Sequence, residues 1–137
     1  MGAQDSKISE VEDMPVYKAL FELALEIEEE TRHIGPEFRW LRGQILRASE
    51  SVCANMAEGF YSQYSTEYLQ ALFRCRREAQ ETLTHVRYAI SVKQLTEKTG
   101  VTIMARYREA LKQLSNLIRS IERKINQRGK SKPASLS

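Results

Sequence analysis

The forty residues from Phe60 to Thr99 contain neither glycine nor proline. Within this stretch Leu72, Ala79 and Val86 recur every seven residues, with further apolar side chains on either side of them. An apolar repeat of this period without a helix-breaking residue predicts one long amphipathic helix over about residues 66–96. Its apolar face is broad, which is typical of a helix with neighbours on two sides.

Three other segments carry apolar side chains at steps of three and four residues, which predicts helices over about 14–33, 37–58 and 102–127. Gly35-Pro36 is expected to end the first, and Gly59 to end the second in the left-handed conformation. Ser65 is expected to cap the third, and residues 97–100 to separate it from the fourth. The apolar stripes are Val16, Leu20, Leu23 and Ile27; Leu41, Ile45, Ala48 and Val52; and Met104, Tyr107, Leu111, Leu114, Ile118, Ile121 and Ile125.

Four such helices with short links predict an all-α fold, an up-down-up-down antiparallel four-helix bundle over residues 14–127. A chain of 137 residues suits one domain with a core that needs no disulfide or metal. Residues 1–13 are expected to form a flexible leader and residues 128–137 a disordered basic tail.

The chain shows no sign of export or membrane insertion. Its first thirteen residues are polar and acid-rich, and no run approaches the roughly 18 apolar residues of a membrane span. We therefore expect a cytoplasmic protein. Cys53 and Cys75 have apolar neighbours in helical segments, so we expect them to be reduced and buried.

The net charge of +3 hides an uneven distribution. Residues 1–34 contain nine acidic and three basic side chains and sum to −6, so the remaining residues sum to +9. An acidic first helix and a basic remainder indicate an anionic partner, or subunits that dock an acidic face on a basic face.

The residue patterns do not predict an enzyme. Glu30 and His33 have the Glu-x-x-His spacing of di-iron bundles, but such a site needs two of these motifs, and His85 follows Glu81 by four residues. Neither cysteine has a histidine within one helical turn, and no glycine-rich phosphate loop is present. We therefore predict no catalytic residues, no metal and no cofactor.

A row of polar residues runs along the second predicted helix, beside its apolar stripe. It can form a hydrogen-bonded seam that sets helix register, with Glu58 bonded to loop amides, or a pocket for a ligand or partner at the end of the bundle. We favour the structural interpretation, because buried polar groups have to be paired. The row comprises Gln44, Arg47, Ser51, Asn55 and Glu58, followed by Gly59.

Basic side chains concentrate on the third and fourth predicted helices, and Glu122 is the only acid after residue 109. Such a surface can neutralise phosphates and bind nucleic acid with little sequence preference. Alternatively, the bases at the end of the fourth helix favour its dipole, and Arg74 and Arg77 pair with Glu78 and Glu81. The predicted nucleic-acid-binding residues are Arg74, Arg77, Arg87, Arg119, Arg123, Lys124 and Arg128.

The second predicted helix resembles a known family. The segments Gln44-Ile45-Leu46-Arg47-Ala48-Ser49, Ser51-Val52 and Asn55-Met56-Ala57-Glu58-Gly59 are similar to the pattern of four-helix-bundle proteins encoded in intervening sequences of bacterial 23S ribosomal RNA genes. The resemblance covers about residues 14–126. Early in the third helix the family usually has small residues, whereas Arg76-Arg77-Glu78 stand here.

The resemblance implies a ring of subunits, commonly a homopentamer, without catalytic residues. The accessory variability proteins of diversity-generating retroelements, which partner a reverse transcriptase and bind nucleic acid, are similar in fold. By this analogy we expect a non-enzymatic oligomeric accessory protein that binds RNA or DNA, with a reverse transcriptase as a candidate partner. The alternative is a protein-interaction scaffold that binds no nucleic acid.

Overall fold

A computed structural model describes residues 8–131 and the side chains of residues 8–128. Four α-helices form the fold: α1 Pro15–Glu30, α2 Arg39–Phe60, α3 Ser65–Ser91 and α4 Glu97–Ser131. Short 3₁₀ helices, Val11–Asp13 and Pro36–Phe38, precede α1 and α2. No β-strand occurs among residues 8–131, and the predicted all-α fold is confirmed.

The helices pack as a closed bundle. Each contacts the next along the chain, α1 also contacts α4, and the α2–α3 contact is the most extensive. Links of four and five residues follow α2 and α3, so the helices they join run antiparallel. The predicted stripes supply the core, and of the stripe residues named above only Leu111 and Ile125 are partly exposed. Within the described residues, no helix is long and apolar enough to cross a membrane.

Residues 8–13 were predicted to belong to a flexible leader but pack against the α2–α3 connection. Val11 is buried, and its N–H donates a hydrogen bond to the Tyr61 hydroxyl at 3.1 Å. That hydroxyl in turn donates to Glu10. The acid-rich composition of this segment predicted flexibility, but the buried Val11 side chain anchors it in the core. Likewise, residues 128–131 continue α4, while residues 1–7 and 132–137 lie outside the described part.

The break between the third and fourth helices comes earlier than predicted. The helix α3 ends at Ser91 and α4 begins at Glu97, so Gly100 lies inside α4. A Cβ atom on Gly100 would lie 2.4 Å from the side chain of Ile90. This glycine therefore serves the close packing of α3 on α4 and does not break a helix.

A lysine takes the place expected for glycine at the end of α3. Lys93 has a left-handed backbone, with φ of 66°. The next two N–H groups, of Gln94 and Leu95, donate to the carbonyl oxygen of Ala89 at 2.8 and 3.3 Å. The buried side chain of Leu95 anchors this turn, which lets a residue other than glycine occupy the position.

Both capping predictions at the α2–α3 connection are wrong. Gly59 is helical, and α2 continues to Phe60. A Cβ atom on Gly59 would lie 2.4 Å from the Cβ atom of Ala71, so the close approach of α2 and α3 requires glycine there. Helix α3 begins with Ser65 itself, preceded by Tyr64 in an extended conformation without a side-chain capping bond.

The hydroxyl group of Tyr107 is the one buried side-chain polar atom of the described residues without a hydrogen-bond partner. Thr82 is a polar neighbour, but its hydroxyl donates to the carbonyl oxygen of Glu78 at 2.9 Å. An unpaired buried hydroxyl costs about 1–3 kcal/mol of stability.

We therefore expect Tyr107→Phe to raise the free energy of unfolding by about 1 kcal/mol in urea titrations. Tyr68→Phe is the control, because the Tyr68 hydroxyl has a partner in the Met14 sulfur at 3.7 Å, and it should not be stabilising. A destabilised Tyr107→Phe variant would contradict this account.

Candidate functional site

A groove of about 680 Å³ lies between the outer faces of α3 and α4. Four basic side chains line it: Arg87 from α3, and Arg108, Lys112 and Arg119 from α4. The other lining residues are polar or aliphatic and include no acid: Gln80, Leu83, Thr84, Leu111, Ser115 and Asn116. We call this feature the basic groove.

Helical spacing places these cations together. On α4 they follow one another at steps of four and seven residues, which is one face of a helix. The apolar residues Ala110, Leu114 and Ile118 fix the orientation of that face, because they are buried in the core. The face of α4 that carries the cations therefore points away from the core and borders α3.

Of the predicted nucleic-acid-binding residues, Arg87 and Arg119 line the basic groove. Arg77 and Arg123 are exposed one turn beyond its lining residues, three positions before Gln80 and four after Arg119. The sequence-based prediction missed Arg108 and Lys112. Their spacing of four and seven residues up to Arg119 could have indicated a shared helix face, but Glu109 made the charge of this segment look balanced.

Lys124 and Arg128 lie away from the basic groove. Lys124 follows Arg106 by 18 residues, about five turns, and therefore shares its face of α4. Arg106 forms an ion pair with Glu26 of α1, so this face borders α1. Arg128 donates a hydrogen bond to Ser65 at 3.4 Å.

Arg74 of α3 was also predicted to bind nucleic acid, but its side chain contacts the polar row of α2. Its Nε atom donates to the Asn55 side-chain oxygen at 3.0 Å, and its guanidinium lies 3.8 Å from the Glu58 carboxylate. Asn55 also donates to the carbonyl oxygen of Ser51. The row thus links α2 to α3, through Arg74 rather than through the loop amides expected to bond Glu58.

The other half of the row is an ion-pair cluster. Arg47 of α2 pairs with Glu78 and Glu81 of α3, and the His85 ring lies 3.4 Å from Glu81. Gln44 is exposed and lies at the α2 surface. These groups are partly exposed, so each pair contributes at most about 1 kcal/mol. The row forms partly exposed contacts between α2 and α3, in line with the structural interpretation.

An apolar groove of about 570 Å³ lies between α1 and α2. Phe21 and Leu25 of α1 line it and remain 45% and 57% exposed. Leu46 and Ala54 contribute from α2, and Cys53 also borders it. An open apolar surface of this kind is typical of a contact with another protein.

Neither cysteine has the environment of a reactive thiol. Both are free and buried, and Cys75 donates to the carbonyl oxygen of Val52. Burial raises the pKa of Cys53 and that of Cys75 to about 12 each. A shift from the ordinary value of 9.0 lowers the thiolate fraction at neutral pH by about three orders of magnitude.

We expect neither thiol to react with Ellman's reagent within minutes at pH 8 in the folded protein. Both should react at once in guanidinium chloride, which provides the control for reagent and protein quality. Cys53 should label before Cys75, because only Cys53 borders the apolar groove. Fast labelling of Cys75 without denaturant would show that the core opens readily.

The described residues contain no group of three histidine, cysteine or carboxylate side chains arranged to hold a metal ion. His33, from the Glu-x-x-His spacing, instead lies with its Nε2 atom 2.8 Å from the Gln94 carbonyl oxygen. This contact joins the α1–α2 and α3–α4 connections at one end of the bundle.

The family model of the 23S rRNA-intervening sequence protein matches residues 12–116. The chain belongs to this family. The matched range includes Arg87, Arg108 and Lys112 of the basic groove, whereas Arg119 and Arg123 lie beyond it. The resemblance seen around Asn55 is thereby confirmed.

A solved structure supports the fold. It is that of a protein of unknown function from the S23 ribosomal protein family of Bacteroides thetaiotaomicron, which is 24% identical with a TM-score of 0.71. The match covers 76% of this chain and 95% of the other. No curated protein matches the chain.

Proposed function

We propose that this family member is a non-enzymatic accessory protein that binds RNA or DNA through the basic groove. The observation that carries the proposal is the convergence of four cations in a channel without an acidic lining residue. Such an arrangement attracts the phosphate backbone, which every nucleic acid presents whatever its sequence.

The dimensions of the basic groove agree with this role. Arg108 and Arg119 are eleven residues apart, which corresponds to about 16 Å along α4. A stacked strand advances about 3.4 Å per nucleotide, so about five nucleotides fit along these cations. Arg123 extends the same face by one further turn.

Binding rather than catalysis is supported by the chemistry of the candidate groups. The two thiols are buried with raised pKa values, and no carboxylate is among the residues that line the basic groove, although Glu109 lies 3.9 Å from Lys112 at its border. The polar row is occupied by contacts between α2 and α3. We therefore assign no catalytic residue, metal or cofactor.

We further propose that the protein acts as a homo-oligomer, with a pentamer as the expected form. The apolar groove offers a surface for a second copy, because Phe21 and Leu25 are exposed beside it. An assembly of several basic grooves would bind one long polynucleotide more tightly than a single groove does. Sedimentation at several salt concentrations would measure the subunit number.

The salt dependence of binding tests the proposed function. With about four phosphate contacts per subunit, the logarithm of the association constant should fall with that of the salt concentration with a slope of about −3 for single strands. Affinity should then fall about 50-fold between 50 and 200 mM salt. Absence of binding to both RNA and DNA at low salt would refute the proposal.

A protein-interaction scaffold is the second candidate, favoured by the apolar groove and by the acidic residues of α1. It predicts an oligomer that persists at high salt and shows no mobility shift with nucleic acid. The gene's neighbourhood adds an independent criterion. A ribosomal RNA intervening sequence around the gene would favour RNA, whereas a neighbouring reverse transcriptase would favour the retroelement role.

A further inference from the structure

We propose that the nucleic acid held in the basic groove is single-stranded, and that one of its bases stacks on an exposed pair of aromatic rings. The pair consists of Trp40 on α2 and Tyr88 on α3. This inference rests on the proposed function and specifies which form of nucleic acid the groove accepts.

The two rings form one solvent-facing surface. Their centroids lie 5.9 Å apart, and their planes are inclined by 54°. Trp40 is 55% exposed and Tyr88 is 45% exposed, although both rings are large and apolar. Phe38 lies 6.5 Å from Trp40 and supports that ring from one side. Exposed aromatic rings of this kind are surfaces on which unpaired bases stack.

The aromatic pair lies next to one end of the basic groove, on the side of α3 that faces α2. Arg87 lines the groove, and Tyr88 is the next residue, about 100° further round α3. A strand that leaves the groove at Arg87 and crosses the outer surface of α3 toward α2 therefore reaches the Tyr88 ring, which packs on Trp40. Arg39, which is exposed and precedes Trp40 in the chain, supplies a second cation on this part of the surface.

The acid nearest to Trp40 along the chain is held at the α1–α2 connection. Glu37 precedes Trp40 by three residues, but its carboxylate lies against Gly35, where an added Cβ atom would be 2.6 Å from it. The aromatic pair therefore combines ring faces with flanking positive charge. That combination suits a nucleotide, whose base stacks while its phosphate contacts a cation.

The geometry selects against a duplex. Bases in a duplex are stacked on one another and paired, so their faces cannot reach side chains outside the helix. A duplex could contact the cations of the basic groove but not the faces of Trp40 and Tyr88. An unpaired strand can use both features at once.

The test uses a 16-nucleotide RNA, alone and annealed to its complement, with the full-length protein. Trp40 is the only tryptophan in the chain, so its fluorescence reports on the aromatic pair without interference. We expect the single strand to quench this emission and the duplex to leave it nearly unchanged. Trp40→Ala should weaken single-strand binding about 5- to 100-fold, measured by anisotropy of a labelled RNA, and duplex binding less than twofold.

Two variants control for folding and for general loss of aromatic surface. Trp40→Phe retains a ring and should bind the single strand nearly as well as the unaltered protein. Tyr64→Ala removes an exposed ring from the α2–α3 connection and should have no effect on binding.

Equal binding of both RNA forms, with Trp40→Ala unaffected, would overturn the stacking inference and leave the proposed function intact. A change of Trp40 emission with protein concentration alone would assign the rings to a subunit contact and also overturn it. If neither RNA form nor the corresponding DNA binds, the proposed function fails and the inference fails with it.

Discussion

Replacing Arg87, Arg108 and Arg119 by glutamine is expected to weaken polynucleotide binding about 100-fold at 0.1 M salt. Each lost phosphate contact removes about 0.7 from the salt slope for a single strand, which corresponds to about fivefold in affinity at this salt concentration. The slope itself should become shallower by about 2. Glutamine keeps a polar side chain at these exposed positions, so the thermal midpoint should change little.

The matched control removes three charges outside the basic groove, by changing Lys18, Arg32 and Lys124 to glutamine. All three side chains are exposed, and Lys124 lies on the α4 face that borders α1. The control should keep nearly full affinity and nearly the same salt slope. Equal losses in the two triple variants would mean that total charge, not the groove, governs binding.

Gly59→Ala is expected to lower the free energy of unfolding by about 1–3 kcal/mol. The added Cβ atom would lie 2.4 Å from Ala71 Cβ and 3.1 Å from the Tyr68 ring. Ala71 has no side-chain torsion with which to move away, so α2 and α3 must separate. This cost exceeds the gain of up to about 1 kcal/mol from replacing glycine inside a helix.

Gly43→Ala provides the opposite control. Gly43 also lies in α2, but nothing stands within 4 Å of its added Cβ atom. The substitution should therefore stabilise the protein by about 0.5–1 kcal/mol. Chemical denaturation of the two variants would measure both signs, and a stabilised Gly59→Ala variant would show that α2 and α3 can separate at little cost.

A double-mutant cycle isolates the contact between the two helices. Ala71→Gly alone should be destabilising by about 1 kcal/mol, because it places glycine in a helix. Combined with Gly59→Ala, it removes the clash, so the double variant should be more stable than the sum of the single effects predicts. Additive effects would place the cost of Gly59→Ala elsewhere.

Periodicity alone predicted the fold and most of its core. The stripe from Val16 to Ile27 and the seven-residue repeat of Leu72, Ala79 and Val86 are buried as expected. The apolar period of a helix is a local property that packing preserves. The motif from Asn55 to Gly59 likewise carried enough information to indicate the family.

The basic groove was predictable only in part. Clustering of basic residues in the sequence selected Arg87 and Arg119, which line the groove, but it also selected Arg74 and Lys124, which do not. Charge counting ignores the side of the helix on which a residue lies. Arg74 meets Asn55 across α2–α3, while Lys124 shares the side of α4 that faces α1.

The ends of the helices were also predictable only in part from the sequence. A glycine in a sequence suggests the end of a helix, yet Gly59 and Gly100 lie inside helices. Glycine is required at both positions because the neighbouring helix leaves no room for a Cβ atom. Lys93 ends α3 instead, with its turn anchored by the buried Leu95. Such positions depend on partners distant in sequence.

The long stretch without glycine or proline determined by itself that this chain builds long helices with continuous apolar faces, because the helical period depends only on residues three and four positions apart. It did not determine where that stretch divides, since α3 and α4 separate within it at Val92–Thr96. Only the tertiary structure decided that division and the convergence of Arg87 with Arg108, Lys112 and Arg119. Both depend on how two antiparallel helices align, which is set by side chains that meet only after folding.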